Sequence, residues 1–361
     1  MTHPPRIWAL LDNKPGHASQ VQGVADALEW PYVSKTIGYT KVASLPNMFK
    51  GNGLRGIDEA TRKLLTPPWP DIVIAAGRKT APVALWIKQQ AQAEKQVPCL
   101  AVQLMWPGIP ADDFDIIAVP EHDIYLPKLP NLLRTLGAPH RITPHVLEKE
   151  AAMWRKTLGH LKSPFLAVLV GGDTRKGALD KTQAEMLAAA VNQAVRELGG
   201  SALVSTSRRT KPESVDALKF ALDCPLYFHD PIKERTNPYL AFLGLCDAVI
   251  VTGDSVSMCS EACATGKPVF IFSGTMPLPE KHVYFQKALF AHGYAQSLRD
   301  MQAGHWIEHI QKDPVPQPTL YVADDIAAAI REAWKNKEGQ GYVPSKTALK
   351  LSFFKRMRNP E

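Results

Sequence analysis

The chain has 361 residues, 45% of them hydrophobic and 21% charged, and carries a formal net charge of +7. That length exceeds one ordinary domain and suits two, each able to bury its own core. The composition excludes a disordered or fibrous chain, no run of about 18 apolar residues offers a membrane span, and five cysteines are too few for a disulfide framework. The excess of positive charge favours an anionic partner such as a phosphate ester or an acidic membrane surface. No Lys/Arg stripe interleaved with aromatics points to nucleic acid. The N-terminal Met1–Arg6 lacks a signal-peptide apolar core, so the chain is expected in the cytosol or peripherally on the inner face of a membrane.

In chain order, short apolar runs alternate with amphipathic segments, the pattern of parallel sheets covered by helices. The first half offers strands at Ile7–Leu11, Ile72–Ala76, Leu100–Leu104 and Ile116–Val119, with helices near Ser19–Leu28 and Thr80–Ala93. Lys41–Gly56, apolar and basic but broken by Pro46, Gly51 and Gly53, is read either as a loop packed on the first sheet or as a lip facing a membrane or acceptor. Pro139–Lys162 is the linker candidate, with a helix-like stretch at Val146–Leu158. The second half offers strands at Phe165–Val170, Ala202–Ser205, Leu226–Phe228, Ala248–Thr252 and Val269–Phe272. Helical patterns fall at Lys181–Leu198, Lys211–Leu222, Pro238–Cys246, Ser257–Thr265 and Lys281–His292. Asp180 starts one helix, Thr210-Lys-Pro-Glu213 reads as a capping box, and Gly266 with Pro268 ends another. The expected division is 1–150, 151–320 and a helical tail over 321–361 that packs back on the first domain. The alternative for the basic, apolar stretch Lys346–Arg358 is membrane docking.

The segment Asp247–Pro268 carries the strongest local signal. An apolar strand ends at Thr252, turns through Gly253 and opens a hydroxyl-rich helix. Free amides and a positive dipole end at such a turn suit phosphate, with Gly253 permitting close approach and Ser255, Val256 and Ser257 in the first turn. Asp254 would repel phosphate and is read as a helix cap. Glu261 shares a face with Ser257 and can reach a ribose diol. A second cradle is Gly171-Gly172-Asp173-Thr174-Arg175-Lys176, where two glycines allow an amide nest and two cations add charge. A third is Ser207-Arg208-Arg209. All three follow strands of one parallel sheet, on the edge where ligands bind, and are expected to converge on one cleft. In the first half, His17 stands at the mouth of a helix after the first strand. It is read either as a general base for an acceptor hydroxyl or as a solvated turn histidine. Cys259 and Cys263 lie four apart, but no second ligand pair at zinc-like spacing accompanies them. Gly253-Asp-Ser imitates a hydrolase nucleophile block without the Asp-x-x-His that such chemistry requires.

The stretches Leu11–Leu28, Val170–Lys181, Ser205–Thr210, His229–Tyr239 and Val249–Phe272 resemble the mitochondrial-fission Elm-type family, and together they span most of the chain. More remotely, the layout resembles GT-B glycosyltransferases such as the N-acetylglucosaminyltransferase of peptidoglycan lipid intermediates and the Kdo transferases of lipopolysaccharide. In the former a Ser-Gly-Ala-x-Thr-x-x-Glu turn holds diphosphate and ribose, matched here by Gly253–Glu261. Its glycine-rich, histidine-ended loop is matched only in part by Lys14–His17. Gln286 falls where that family contacts the donor sugar. The resemblance implies an α/β fold of two Rossmann-like, doubly wound parallel-sheet domains facing a cleft. It further implies a nucleotide-diphosphate sugar, UDP-linked, as substrate, with no separate cofactor and no bound metal. The acceptor expected is lipid-linked or part of the cell envelope. Two rival readings remain: a nucleotide-sugar 2-epimerase and a non-catalytic, membrane-associated scaffold.

Overall fold

The structure is a computed structural model describing residues 4–44, 53–95, 99–172, 177, 179–300, 310 and 317–339. The chain divides into two compact units, Met1–Arg141 with Tyr321–Glu361, and Ile142–Leu320.

Unit 1 begins β1 (Ile7–Leu11), α1 (Pro15–Ala27), β2 (Tyr32–Thr36), α2 (Glu59–Leu64), β3 (Ile72–Ala76) and α3 (Ala81–Lys95). It continues through β4 (Leu100–Leu104), β5 (Ile116–Pro120) and β6 (Leu132–Thr135). All six strands pair in parallel in the order β2-β1-β3-β4-β5-β6. Residues of β3 and β4 are buried on both faces, which is why these segments read as unbroken apolar runs. Trp8, Trp69 and Trp86 stack in edge and tilted contacts 5.6–5.8 Å apart and close one face of this core.

Unit 2 holds α4 (Pro144–Leu158), β7 (Phe165–Leu169), α5 (Lys181–Leu198), β8 (Ser201–Ser205), α6 (Pro212–Ala221) and β9 (Leu226–His229). There follow α7 (Tyr239–Leu245), β10 (Ala248–Thr252), α8 (Val256–Cys263), β11 (Val269–Phe272), α9 (Glu280–Ala291) and β12 (Gln296–Ser297). Its parallel sheet runs β12-β11-β10-β7-β8-β9, the doubly wound order in which connections reverse between β7 and β10. Leu166, Val168 and Ile250 of the central strands pack on Leu187, Val191 and Val195 of α5. The chain then returns to unit 1 as α10 (Val322–Gly339), which packs on α1. Arg331 of α10 donates to the Ala27 carbonyl at 2.9 Å, closing the last turn of α1.

Three local readings need correction. The first boundary falls after Arg141 rather than at 150, because α4 packs along α7 within unit 2. At Gly244 the α7 backbone comes so close to the Leu147 carbonyl that a Cβ would collide with it. Thr210 does not cap α6: that helix starts at Pro212, with Lys211 in the N-cap position and no side-chain cap, and the Thr210 hydroxyl donates instead to the Gly171 carbonyl. Asp254 does not cap α8 either, since Ser255 accepts from the Met258 amide. Of the Lys41–Gly56 region, residues 45–52 lie outside the described residues, as does the Lys346–Arg358 tail.

Asp180 does cap α5, accepting the Gln183 amide at 2.8 Å, while Gly199 ends that helix in the left-handed region at φ 64°. Replacing Asp180 by Ala should cost about 1 kcal/mol, measurable as a fall in the urea midpoint with an unchanged m-value; an unaltered midpoint would show that the cap contributes nothing.

Candidate functional site

In open parallel sheets a crevice forms where the strand order reverses, at the C-terminal ends of the strands. In unit 2 that point lies between β7 and β10, and the turns that follow them are locked together. The Gly171 amide donates to the Thr252 hydroxyl at 2.7 Å, and the Gly172 amide donates to Asp254 Oδ2 at 2.7 Å. The turn after β8 joins from the other side. The Thr210 hydroxyl reaches the Gly171 carbonyl, and a Cβ on Gly172 would collide with the Arg209 side chain and backbone. Ser207 accepts the Arg209 amide at 3.1 Å and so shapes that turn. Gly171, Gly172, Ser207, Arg209, Thr252, Gly253 and Ser255 therefore meet on one sheet edge. Arg208 sits exposed on the same turn as Arg209, and Val256 and Ser257 form the first turn of α8, each partly open to solvent. Thr174, Arg175 and Lys176 lie outside the described residues.

Glu261 stands on α8 five residues beyond Val256, where it accepts from the Tyr239 phenol at 2.5 Å. Burial pushes its carboxyl up to about 7, against the pull of that bond. Burial also raises the Tyr239 phenol, helped by the carboxylate beside it. Asp254 is raised chiefly by burial, with the Thr252 hydroxyl, the Gly172 amide and Arg209 opposing. Gln286 is 6% exposed. It accepts from Ser273 at 2.6 Å and donates to the Gly253 carbonyl at 2.9 Å. The structure thus uses it to brace the Gly253 turn, and both ends of its amide are engaged within the protein.

Unit 1 carries a second cluster at its own reversal point, between β1 and β3. His17 Nδ1 lies 2.8 Å from Asp12 Oδ2. Burial pushes the Asp12 carboxyl up, but bonds from His17 and the Lys14 amide outweigh it and leave it below its ordinary value. An ionised carboxylate only accepts, so Nδ1 carries the proton, and in the neutral ring Nε2 keeps its lone pair. The ring rests on Gly77, the residue after β3, where a Cβ would stand 2.6 Å from Cε1. Gly77 adopts φ 78°, and its carbonyl takes the Gln103 amide at 3.2 Å. Lys79 lies over the Tyr39 ring at 5.0 Å. Asp12, Tyr39, Gly77 and Tyr239 escaped the sequence reading; for Gly77 the signal was available, as a glycine between the apolar strand Ile72–Ala76 and a helix.

Two Rossmann-like units, each with polar turns at its reversal point, define the class: an α/β protein of GT-B type. The chain belongs to the mitochondrial fission ELM1 family, whose model matches residues 15–334. It is 29% identical over 289 residues to the mitochondrial fission protein ELM1 of Arabidopsis thaliana, a match covering 71% of this chain and 66% of that one. It is 27% identical over 299 residues to an uncharacterized protein of Rickettsia prowazekii (strain Madrid E), covering 74% and 82% respectively. Among solved structures, the UDP-GlcNAc 2-epimerase of Methanocaldococcus jannaschii shares the fold with a TM-score of 0.54 at 10% identity, over 91% of this chain and 99% of that one. No helix among the described residues is long and apolar enough to cross a membrane.

Proposed function

We propose that the chain binds a nucleotide sugar through unit 2 and transfers its glycosyl group, with His17 of unit 1 as the general base. One observation carries this reading: the turns after β7, β8 and β10 interlock on a single sheet edge, with the Glu261 carboxylate further along the helix that opens there. In this reading the Val256 and Ser257 amides at the start of α8, with Arg208 and Arg209, receive phosphoryl oxygens. Glu261 accepts from a ribose diol. A UDP-linked diphosphate donor, departing without a metal through helix-dipole and guanidinium assistance, is part of the proposal. So are a lipid-linked or envelope acceptor and peripheral contact with a membrane. His17 Nε2, whose lone pair the Asp12 contact on Nδ1 leaves free, would take the acceptor's proton.

Calorimetry with UDP, GDP, ADP and CMP tests the site: micromolar to millimolar binding of at least one is expected, and silence from all four overturns it. The fold shared with a UDP-GlcNAc 2-epimerase supports a second reading, epimerisation of the sugar while it remains on the nucleotide. Product analysis separates the two, because transfer releases the free nucleotide and epimerisation does not.

A further inference from the structure

We propose that the Asp254 carboxylate is a built-in anion that holds the amide nest of unit 2 in the place of a ligand phosphoryl group, so that a diphosphate binds there by displacing it. The inference rests on the nucleotide reading above and adds to it how that site is regulated.

A Gly-Gly turn after a strand, with its amides turned inward, is the usual form of an anion nest. Here the nest is already filled. The Gly172 amide is spent on Asp254 Oδ2 at 2.7 Å and the Gly171 amide on the Thr252 hydroxyl at 2.7 Å. That hydroxyl in turn bonds the Asp254 carboxyl. A Cβ on Gly171 would collide with the carboxyl group itself, so the glycine makes room for Asp254. The side chain is 7% exposed and takes no part in capping α8, a task that falls to Ser255. A carboxylate in that position does what a phosphate would do: it satisfies the inward Gly172 amide and ties the β7 and β10 turns together. Arg209, on the neighbouring turn, is the cation facing it, and the buried Cys259 thiol faces it from α8.

An incoming diphosphate meets a fixed negative charge at close range, where unit charges repel strongly in a partly desolvated setting. A role confined to holding the turns together predicts the opposite of a gate: removing the side chain would loosen the site and weaken binding.

The test compares wild type, Asp254→Asn and Asp254→Ala, as full-length chains, by calorimetry with inorganic pyrophosphate and with UDP at pH 8. Removing the charge should tighten binding of both probes by about tenfold or more. The Asn variant, which keeps the shape and an acceptor for Gly172, should fold even where the Ala variant does not. Equal or weaker affinity in variants whose circular dichroism is native overturns the gate, while UDP binding by wild type leaves the nucleotide reading intact. Should none of the three chains bind either probe, that reading fails, and the occupied nest is decided by NMR alone. There the Gly172 amide resonance should shift with pH in wild type and stop shifting in Asp254→Asn; an amide indifferent to the substitution refutes the occupied nest.

Discussion

Glu261→Ala should weaken UDP binding by about 1–3 kcal/mol, roughly 5- to 150-fold, because a buried, charged hydrogen bond to the ribose is lost. The same carboxyl makes the affinity depend on pH. Burial holds its titration at about 7 in the free protein, and a ribose diol, which donates, selects the ionised form. UDP affinity should therefore fall as pH drops through about 7 and level off above it. Glu261→Gln should flatten that profile. Tyr239→Phe removes the bond that favours the ionised form, so it should move the midpoint to higher pH. Stability follows the opposite trend. The folded protein holds the Glu261 proton more tightly than the unfolded chain does, so this group's contribution is fully present below the ordinary carboxyl range and is lost as pH rises through about 7. Thermal melts between pH 5 and 8 should show that decline in wild type and a shallower one in Glu261→Gln. A Glu261→Gln chain whose UDP titration keeps the wild-type pH profile would remove Glu261 from the site.

What was legible in the sequence followed from burial. The central strands β3, β4, β7 and β10 are enclosed on both faces, and their composition says so. β2, with Val33, Ser34 and Thr36 exposed, and β6, with Leu132 and Arg134 partly so, lie at the edges of the unit 1 sheet. An edge strand half in solvent leaves no apolar run to read, and both were missed. Helix starts were legible where the capping bond is local, as at Asp180. They were misread where a distant turn claimed the side chain. Thr210 is bound to Gly171, and Asp254 to Gly172, 82 residues away; spacing along the chain carries no trace of either.

The same distinction explains the partners of the candidate residues. Glu261 was visible because it follows Ser257 by one helical turn. Tyr239, its hydrogen-bond donor, lies 22 residues earlier on another helix, and the Tyr239–Glu261 pair joins α7, which precedes β10 in the chain, to α8, which follows it. For Gln286 the sequence position pointed toward a sugar, whereas the fold turned the amide inward onto Gly253 and Ser273. Asp12, close to His17 in sequence, was overlooked because an acidic residue in a turn is ordinarily solvated; its side chain here is almost wholly enclosed.

The largest loss of stability in unit 2 is expected from Phe242→Ala. Phe242 is fully buried on α7. Its ring meets the edge of Tyr227 on β9 at 5.9 Å, and Tyr227 meets Trp154 on α4 at 6.0 Å, so one aromatic ladder joins two helices to the sheet. Truncation leaves a cavity that α4 cannot collapse into, because Gly244 already sets the closest approach of the two helices. The cost should be about 3–5 kcal/mol, a fall in melting temperature of about 10 °C for a unit of this size, with Phe242→Leu costing about 1.5 kcal/mol or less. UDP affinity, measured well below melting, should change by less than about threefold in Phe242→Ala. The first turn of α7, which presents Tyr239 to Glu261, is held independently by the Asn237 side chain on the Tyr239 amide at 3.1 Å. A loss of affinity as large as that of Glu261→Ala would mean that the ladder, and not this local turn, positions Tyr239.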